Sequence, residues 1–165
     1  MLKTGQPAPV FTLSDADMEE FSLSSLRGKK HAVVFFYPRD DAPFCTREAI
    51  DFSDHEEDFL RLDCVIIGIS CDDCLSHADF RDKHGLSVCL LSDDEGEVSQ
   101  LYGVSQVKER EGISRLCATS STFIIDSQGI LRHAFYDVKP RGHAAEVLQF
   151  VKQLEKPCKS QKTPS

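Results

Sequence analysis

The chain has 165 residues, 41% hydrophobic and 28% charged, which fits one folded domain of ordinary size. Lysine and arginine total 19 against 27 acidic residues, a net charge of −8, which argues against a dedicated nucleic-acid binder but leaves room for a local basic pocket. The longest uninterrupted apolar run, Ala32 to Tyr37, is six residues, against the roughly 20 that a membrane-spanning helix needs, so no membrane protein is expected.

In chain order, residues Met1 to Phe11 carry Gly5, Pro7 and Pro9 and no charged-then-apolar leader, which predicts a cytoplasmic protein whose thiols stay reduced unless chemistry uses them. His31–Tyr37 (HAVVFFY) is continuous, β-branched and aromatic, and is expected to be a central strand buried on both faces. Pro38 to Pro43 interrupt it. Thr46–Leu62 is expected to form a helix with Ala49, Phe52, Phe59 and Leu60 toward one face. Cys64–Ser70 (CVIIGIS) is a second buried strand, and Cys74–His84 a helix stopped by Gly85. Val88–Leu91 is a short strand. Ser92 is the expected N-cap of a helix that carries Val98, Leu101 and Tyr102 and stops at Gly103. Thr122–Asp126 and Ile130–Tyr136 flank a Ser127-Gln128-Gly129 turn, a hairpin signal. Gly142 precedes a last helix with Val147, Leu148, Val151 and Leu154 along one side.

The order β-α-β-α-β-α, hairpin, α predicts an α/β fold: a thioredoxin-like three-layer sandwich with a central mixed sheet and helices on both faces. The expected domain covers residues 1–155, followed by a flexible tail over 156–165.

Seven cysteines, at positions 45, 64, 71, 74, 89, 117 and 158, stand out, and an odd count cannot pair completely. Cys45 follows the carboxyl end of the first buried strand, where ligand sites of open α/β sheets lie. It also opens the first long helix, whose free amides and dipole stabilise a thiolate and lower the free-thiol pKa of about 8.5. The expectation is a reactive cysteine of lowered pKa; the alternative is a buried, inert one.

The segment Phe36-Tyr37-Pro38-Arg39-Asp40-Asp41-Ala42-Pro43-Phe44-Cys45-Thr46-Arg47-Glu48-Ala49 resembles the active-site motif F-Y-P-x-D-D-T-P-G-C-T-x-E-A of the peroxiredoxin Q / bacterioferritin comigratory protein group of the AhpC/TSA superfamily. The resemblance extends to an N-terminal strand at Gly5-x-Pro7-Ala8-Pro9-x-Phe11, to Leu90-Leu91-Ser92-Asp93 and to Ser121-Thr122-Phe123-Ile124-Ile125-Asp126, and so covers most of residues 4–154. It implies a thiol-dependent peroxidase that reduces hydrogen peroxide and organic hydroperoxides. Cys45 would be the peroxidatic cysteine, oxidised to a sulfenic acid and recycled by thioredoxin or a similar dithiol. Pro38 would shield the thiolate and Glu48 would orient an arginine. No metal, haem, flavin or other cofactor is implied, and the group is often monomeric, so a monomer or weak dimer is expected.

Three positions depart from the pattern. Ala42 replaces the threonine whose hydroxyl holds the peroxide, Ser120 replaces the arginine that stabilises thiolate and transition state, and Phe44 replaces the glycine before the cysteine. Losing two such polar groups weakens catalysis by orders of magnitude. Arg115 is the first candidate to substitute for the arginine, followed by Arg39 and Arg47. A catalytically weakened redox sensor or interaction protein on this scaffold is therefore an alternative.

The resolving position five residues after Cys45 is Ile50. Cys74 or Cys71, which follow a strand expected to be parallel to the one before Cys45, are the leading candidate resolving residues, with Cys117 behind them. Cys71-Asp72-Asp73-Cys74 also opens a third reading, a CxxC disulfide oxidoreductase. Cys64 and Cys89 read as strand residues packed as small hydrophobes.

Overall fold

The computed structural model describes residues 2–139 and 141–154, and of Lys108, Arg110, Arg115 and Leu116 the backbone only. The tail expected over 156–165, with Cys158, lies outside the described residues. The strands are β1 (Thr12–Asp15), β2 (Glu20–Ser22), β3 (His31–Phe36), β4 (Cys64–Ser70), β5 (Cys89–Ser92), β6 (Ser105–Arg110), β7 (Ile113–Ala118), β8 (Ser121–Ile125) and β9 (Leu131–Phe135). The α-helices are α1 (Pro43–Asp54), α2 (Glu56–Leu60), α3 (Cys74–His84), α4 (Glu97–Leu101) and α5 (His143–Lys152).

Every residue of β3 is buried, as its unbroken apolar run requires. It pairs in parallel with β4 and antiparallel with β8, inside a seven-stranded sheet of order β2-β1-β5-β4-β3-β8-β9. Successive side chains of β3 point to opposite faces. Val33, Phe35 and Tyr37 enter one core with Ala49 and Phe52 of α1, Phe59 of α2, Phe80 of α3 and Val147 of α5. Ala32, Val34 and Phe36 enter the other, with Phe11, Val98, Tyr102 and Phe123. Phe35 stacks on Phe52 with ring centroids 4.8 Å apart. That ring position explains Gly68 in the middle of β4: a Cβ there would lie 2.7 Å from Phe35 Cζ.

Several expectations change in detail. The helix expected over 46–62 begins earlier, at Pro43, and breaks at His55 into α1 and α2. Pro43 supplies a fixed φ at the first helical position, where no N–H is needed. The stretch resembling an N-terminal strand makes one isolated bridge, Pro7 to Ile130, because Pro7 and Pro9 have no N–H for a ladder. Ser92 is not a cap: it ends β5, and its hydroxyl donates to the Asp72 carbonyl and to Asp94. Gly96 is the N-cap of α4, and the Asp93 carboxylate takes the free amides of Val98 and Ser99. Leu101 is exposed, while Val98 and Tyr102 are buried.

The largest difference is a second sheet. β6 and β7 form an antiparallel two-stranded ribbon, separate from the main sheet, turned by Glu111 and Gly112 at φ 53° and 80°. A two-residue loop with both φ positive is a hairpin turn.

Candidate active site

The strand β3 delivers the chain to Pro38, and residues 38–42 loop back to start α1. Cys45 is the third residue of that helix and is 2% exposed. It contributes to the wall of a cavity of about 780 Å³. The same cavity is lined by Pro38, Arg39, Ala42 and Phe44 from the loop and helix start, by Gln106, Glu109, Glu111, Ile113 and Cys117 from the ribbon and its turn, and by Thr119, Ser120, Asp137, Val138 and Lys139. Antiparallel pairing of β8 with β3 puts the start of β8 level with the end of β3, Ser121 against Phe36. That register brings Ser120 and the ribbon's end to the Cys45 edge of the sheet.

A buried network holds the loop. Asp40 accepts hydrogen bonds from the Tyr37 hydroxyl at 2.7 Å and the Ser76 hydroxyl at 2.8 Å, and lies 2.7 Å from His77 Nδ1. The other ring nitrogen of His77 lies 2.9 Å from the Leu91 carbonyl, which only accepts, so Nε2 carries a proton. The Asp40 backbone N–H donates to Asp72 at 2.7 Å, and Ser70 donates to the same carboxylate oxygen at 2.8 Å. The Cys45 loop is thus pinned to the end of β4 and to α3. Burial and the Asp40 carboxylate push the Tyr37 phenol well above its ordinary pKa, which keeps it a donor.

The Cys45 thiol is pushed up to about 11, against the lowered value expected from its helix position. Burial is the main cause; a hydrogen bond from the Arg39 backbone pulls the other way, and the Glu48, Asp40 and Asp72 carboxylates add to the rise. Position at a helix start is visible in sequence; enclosure and three nearby carboxylates are not.

Glu48 sits one turn on from Cys45 and is 1% exposed. Among the described residues neither carboxylate oxygen has a hydrogen-bond partner. Burial, with a contribution from Asp51, pushes its pKa up to about 8. Of the three candidate arginines, Arg39 lines the cavity. Arg47 is exposed and borders a separate depression with Thr46, Ile50 and His84. Arg115 lies on β7, and its side chain is outside the described residues.

Neither Cys71 nor Cys74 lines the cavity. Cys74 opens α3, and burial, with the charges of Asp94, Asp73 and Asp15, raises its pKa. Cys71 is half-buried and raised to about 11 by burial and Asp93, with Ser99 and Cys117 also within interaction range. The two thiols of the CxxC thus occupy different, acidic surroundings. Cys64 is fully buried in β4, and Cys89 begins β5 half-buried against the second core. Sequence reasoning missed the ribbon's wall of the cavity and Lys139. The signal for the ribbon was Glu111-Gly112 between two runs of equal length, obscured because the Lys108-Glu109-Arg110-Glu111 charges hide any alternation.

Comparison with known proteins identifies the family. The AhpC/TSA family model matches residues 4–134. Peroxiredoxin Bcp of Bacillus subtilis is 40% identical over 153 residues, covering 93% of this chain and 97% of that protein. A putative peroxiredoxin bcp of Helicobacter pylori strain J99 is 42% identical over 148 residues, covering 90% and 97%. Among solved structures, the Xanthomonas campestris bacterioferritin comigratory protein, described for its alkyl peroxide reduction activity, superposes with a TM-score of 0.82 at 29% identity, covering 91% of this chain and 98% of that one. Peroxidoxin BcpB from Mycobacterium tuberculosis gives a TM-score of 0.84 at 28% identity, covering 94% and 99%. The chain belongs to the AhpC/TSA family, within its peroxiredoxin Q / bacterioferritin comigratory protein group.

Proposed function

We propose that Cys45 is the nucleophile through which this thiol-dependent peroxidase reduces its hydroperoxide. The observation that carries the reading is its place: first turn of α1, at the carboxyl end of β3, in the wall of a cavity far larger than hydrogen peroxide. The Cys45 sulfur attacks the distal peroxide oxygen, the O–O bond breaks, and the sulfur becomes a sulfenic acid while water or an alcohol leaves with the proton. Pro38 shields the sulfur from solvent, and the cavity sets the cations Arg39 and Lys139 among the acids Glu109, Glu111 and Asp137. A thiol reductant returns the enzyme to its starting state; thioredoxin or a similar dithiol of the cytoplasm fits that role, with the peroxidase working as a monomer or weak dimer. No helix among the described residues is long and apolar enough to cross a membrane.

Turnover is slow in this reading. A thiol at about 11 holds little thiolate at neutral pH, Ala42 offers no hydroxyl, and Glu48 has no arginine to orient among the described side chains. The same three features favour a second reading, a redox sensor oxidised once per event. Stopped-flow mixing of the reduced protein with hydrogen peroxide and with an alkyl hydroperoxide, with Cys45→Ser as control, separates them. Consumption that depends on Cys45, exceeds free cysteine thiolate and rises with pH from 7 to 10 supports the peroxidase. A rate no better than the free thiolate supports the sensor, and consumption unchanged in Cys45→Ser removes Cys45 from either role.

A further inference from the structure

Six cysteines lie among the described residues, all as free thiols, and with Cys45 only Cys117 lines the active-site cavity. The others are turned elsewhere. Cys64 is sealed in the core, Cys89 lies within range of Asp15 and Glu56, and Cys74 lies within range of Asp15, Asp73 and Asp94. Cys71 is on the α4 side of β4, near Asp93 and Ser99. Cys117 is the next-to-last residue of β7, paired with Gln106, and is 6% exposed. It lines the same cavity as Cys45.

We propose that Cys117 is the resolving cysteine, a role that rests on Cys45 being the peroxidatic one. The thiol of Cys117 attacks the Cys45 sulfenic sulfur, an S–S bond forms as the S–O bond breaks, and the hydroxyl leaves as water with the Cys117 proton. An external dithiol then reduces the disulfide and is itself oxidised to one. The bond requires the two Cα atoms to come within about 7 Å. The ribbon β6–β7 pairs with no strand of the main sheet, and a lone two-stranded ribbon is marginal on its own. The first turn of α1 has an N-cap, Ala42, with no side-chain cap, so that turn lacks one of the usual stabilising bonds. The geometry thus moves the second thiol from the segment between β4 and α3, where the CxxC sits, to the ribbon.

Cys71 lies near Cys117, so a first-formed bridge is open to exchange with it, and the test uses the Cys71→Ser chain. One equivalent of hydrogen peroxide is added to the reduced protein, free thiols are blocked, and bridged peptides are mapped by mass spectrometry. The expected product is a Cys45–Cys117 disulfide within one chain. In Cys71→Ser/Cys117→Ser, the first equivalent of peroxide is still consumed, a sulfenic-acid reagent labels Cys45, and turnover with a protein dithiol falls about ten-fold or more. The variant Cys71→Ser/Cys117→Ala, matched by circular dichroism to its parent, must repeat that pattern. A sulfenic acid at Cys45 of Cys71→Ser with no bridge to Cys117, or a bridge to Cys74, overturns the role of Cys117 and leaves that of Cys45 intact. No oxidation of Cys45 in any variant overturns both.

Discussion

Glu48 offers the sharpest test of the electrostatics at this site. Its carboxyl is 1% exposed, has no hydrogen-bond partner among the described residues and is raised from 4.5 to about 8. The native state therefore holds a proton that the unfolded chain releases above its ordinary carboxyl pKa, and stability falls as pH rises between these two values. Each pH unit inside the window costs about 1.36 kcal/mol. From pH 5 to pH 7 the loss attributable to Glu48 is about 2.7 kcal/mol, worth about 5–10 °C in Tm for a chain of this size. Glu48→Gln keeps the shape and cannot ionise. Its amide is as poorly partnered as the acid, so the readout is the pH slope and not the absolute stability. Urea unfolding at pH 5, 6 and 7, followed by far-UV circular dichroism, should show wild type losing about 2.7 kcal/mol relative to the variant across that range. Parallel curves for the two proteins would refute the reasoning. The same proton matters to chemistry: at pH 7 a neutral Glu48 puts little charge against the Cys45 thiolate, and above about 8 it opposes it.

Three further outcomes follow from the geometry. His77→Leu leaves the buried Asp40 carboxylate without its ring partner at 2.7 Å and should cost about 3 kcal/mol in urea unfolding; a loss under about 0.5 kcal/mol contradicts the network. Gly68→Ala sets a methyl 2.7 Å from Phe35 Cζ and 3.1 Å from Leu90 Cδ2, and thermal melts should show about 1–3 kcal/mol of destabilisation from overpacking. Ala42→Thr adds a hydroxyl at the uncapped N-cap of α1 and in the cavity wall. Its expected effects are about 1 kcal/mol of stability and a rise of about ten-fold or more in the stopped-flow peroxide rate; a gain in stability with an unchanged rate denies that hydroxyl a part in the reaction.

The sequence by itself determined the architecture around Cys45. The HAVVFF and CVIIGIS runs are long, apolar and β-branched, so they had to be central strands, and they pair in parallel, His31 against Cys64. Gly85 at φ 62° ends α3 where its position promised, and the hairpin of β8 and β9 turns through Ser127-Gln128-Gly129. These are local signals, carried by side-chain period and backbone freedom. What only the tertiary structure decided is how groups distant in sequence meet. The Cys45 pKa rises because enclosure and the Asp40, Glu48 and Asp72 carboxylates outweigh its helix position. Asp40 and His77, 37 residues apart, form one network because parallel strands bring the loop after β3 beside the helix after β4. The ribbon carries Cys117 into the cavity although its charged run shows no alternation to reveal it. Burial and long-range charge depend on the whole packed chain, and local sequence does not encode them separately.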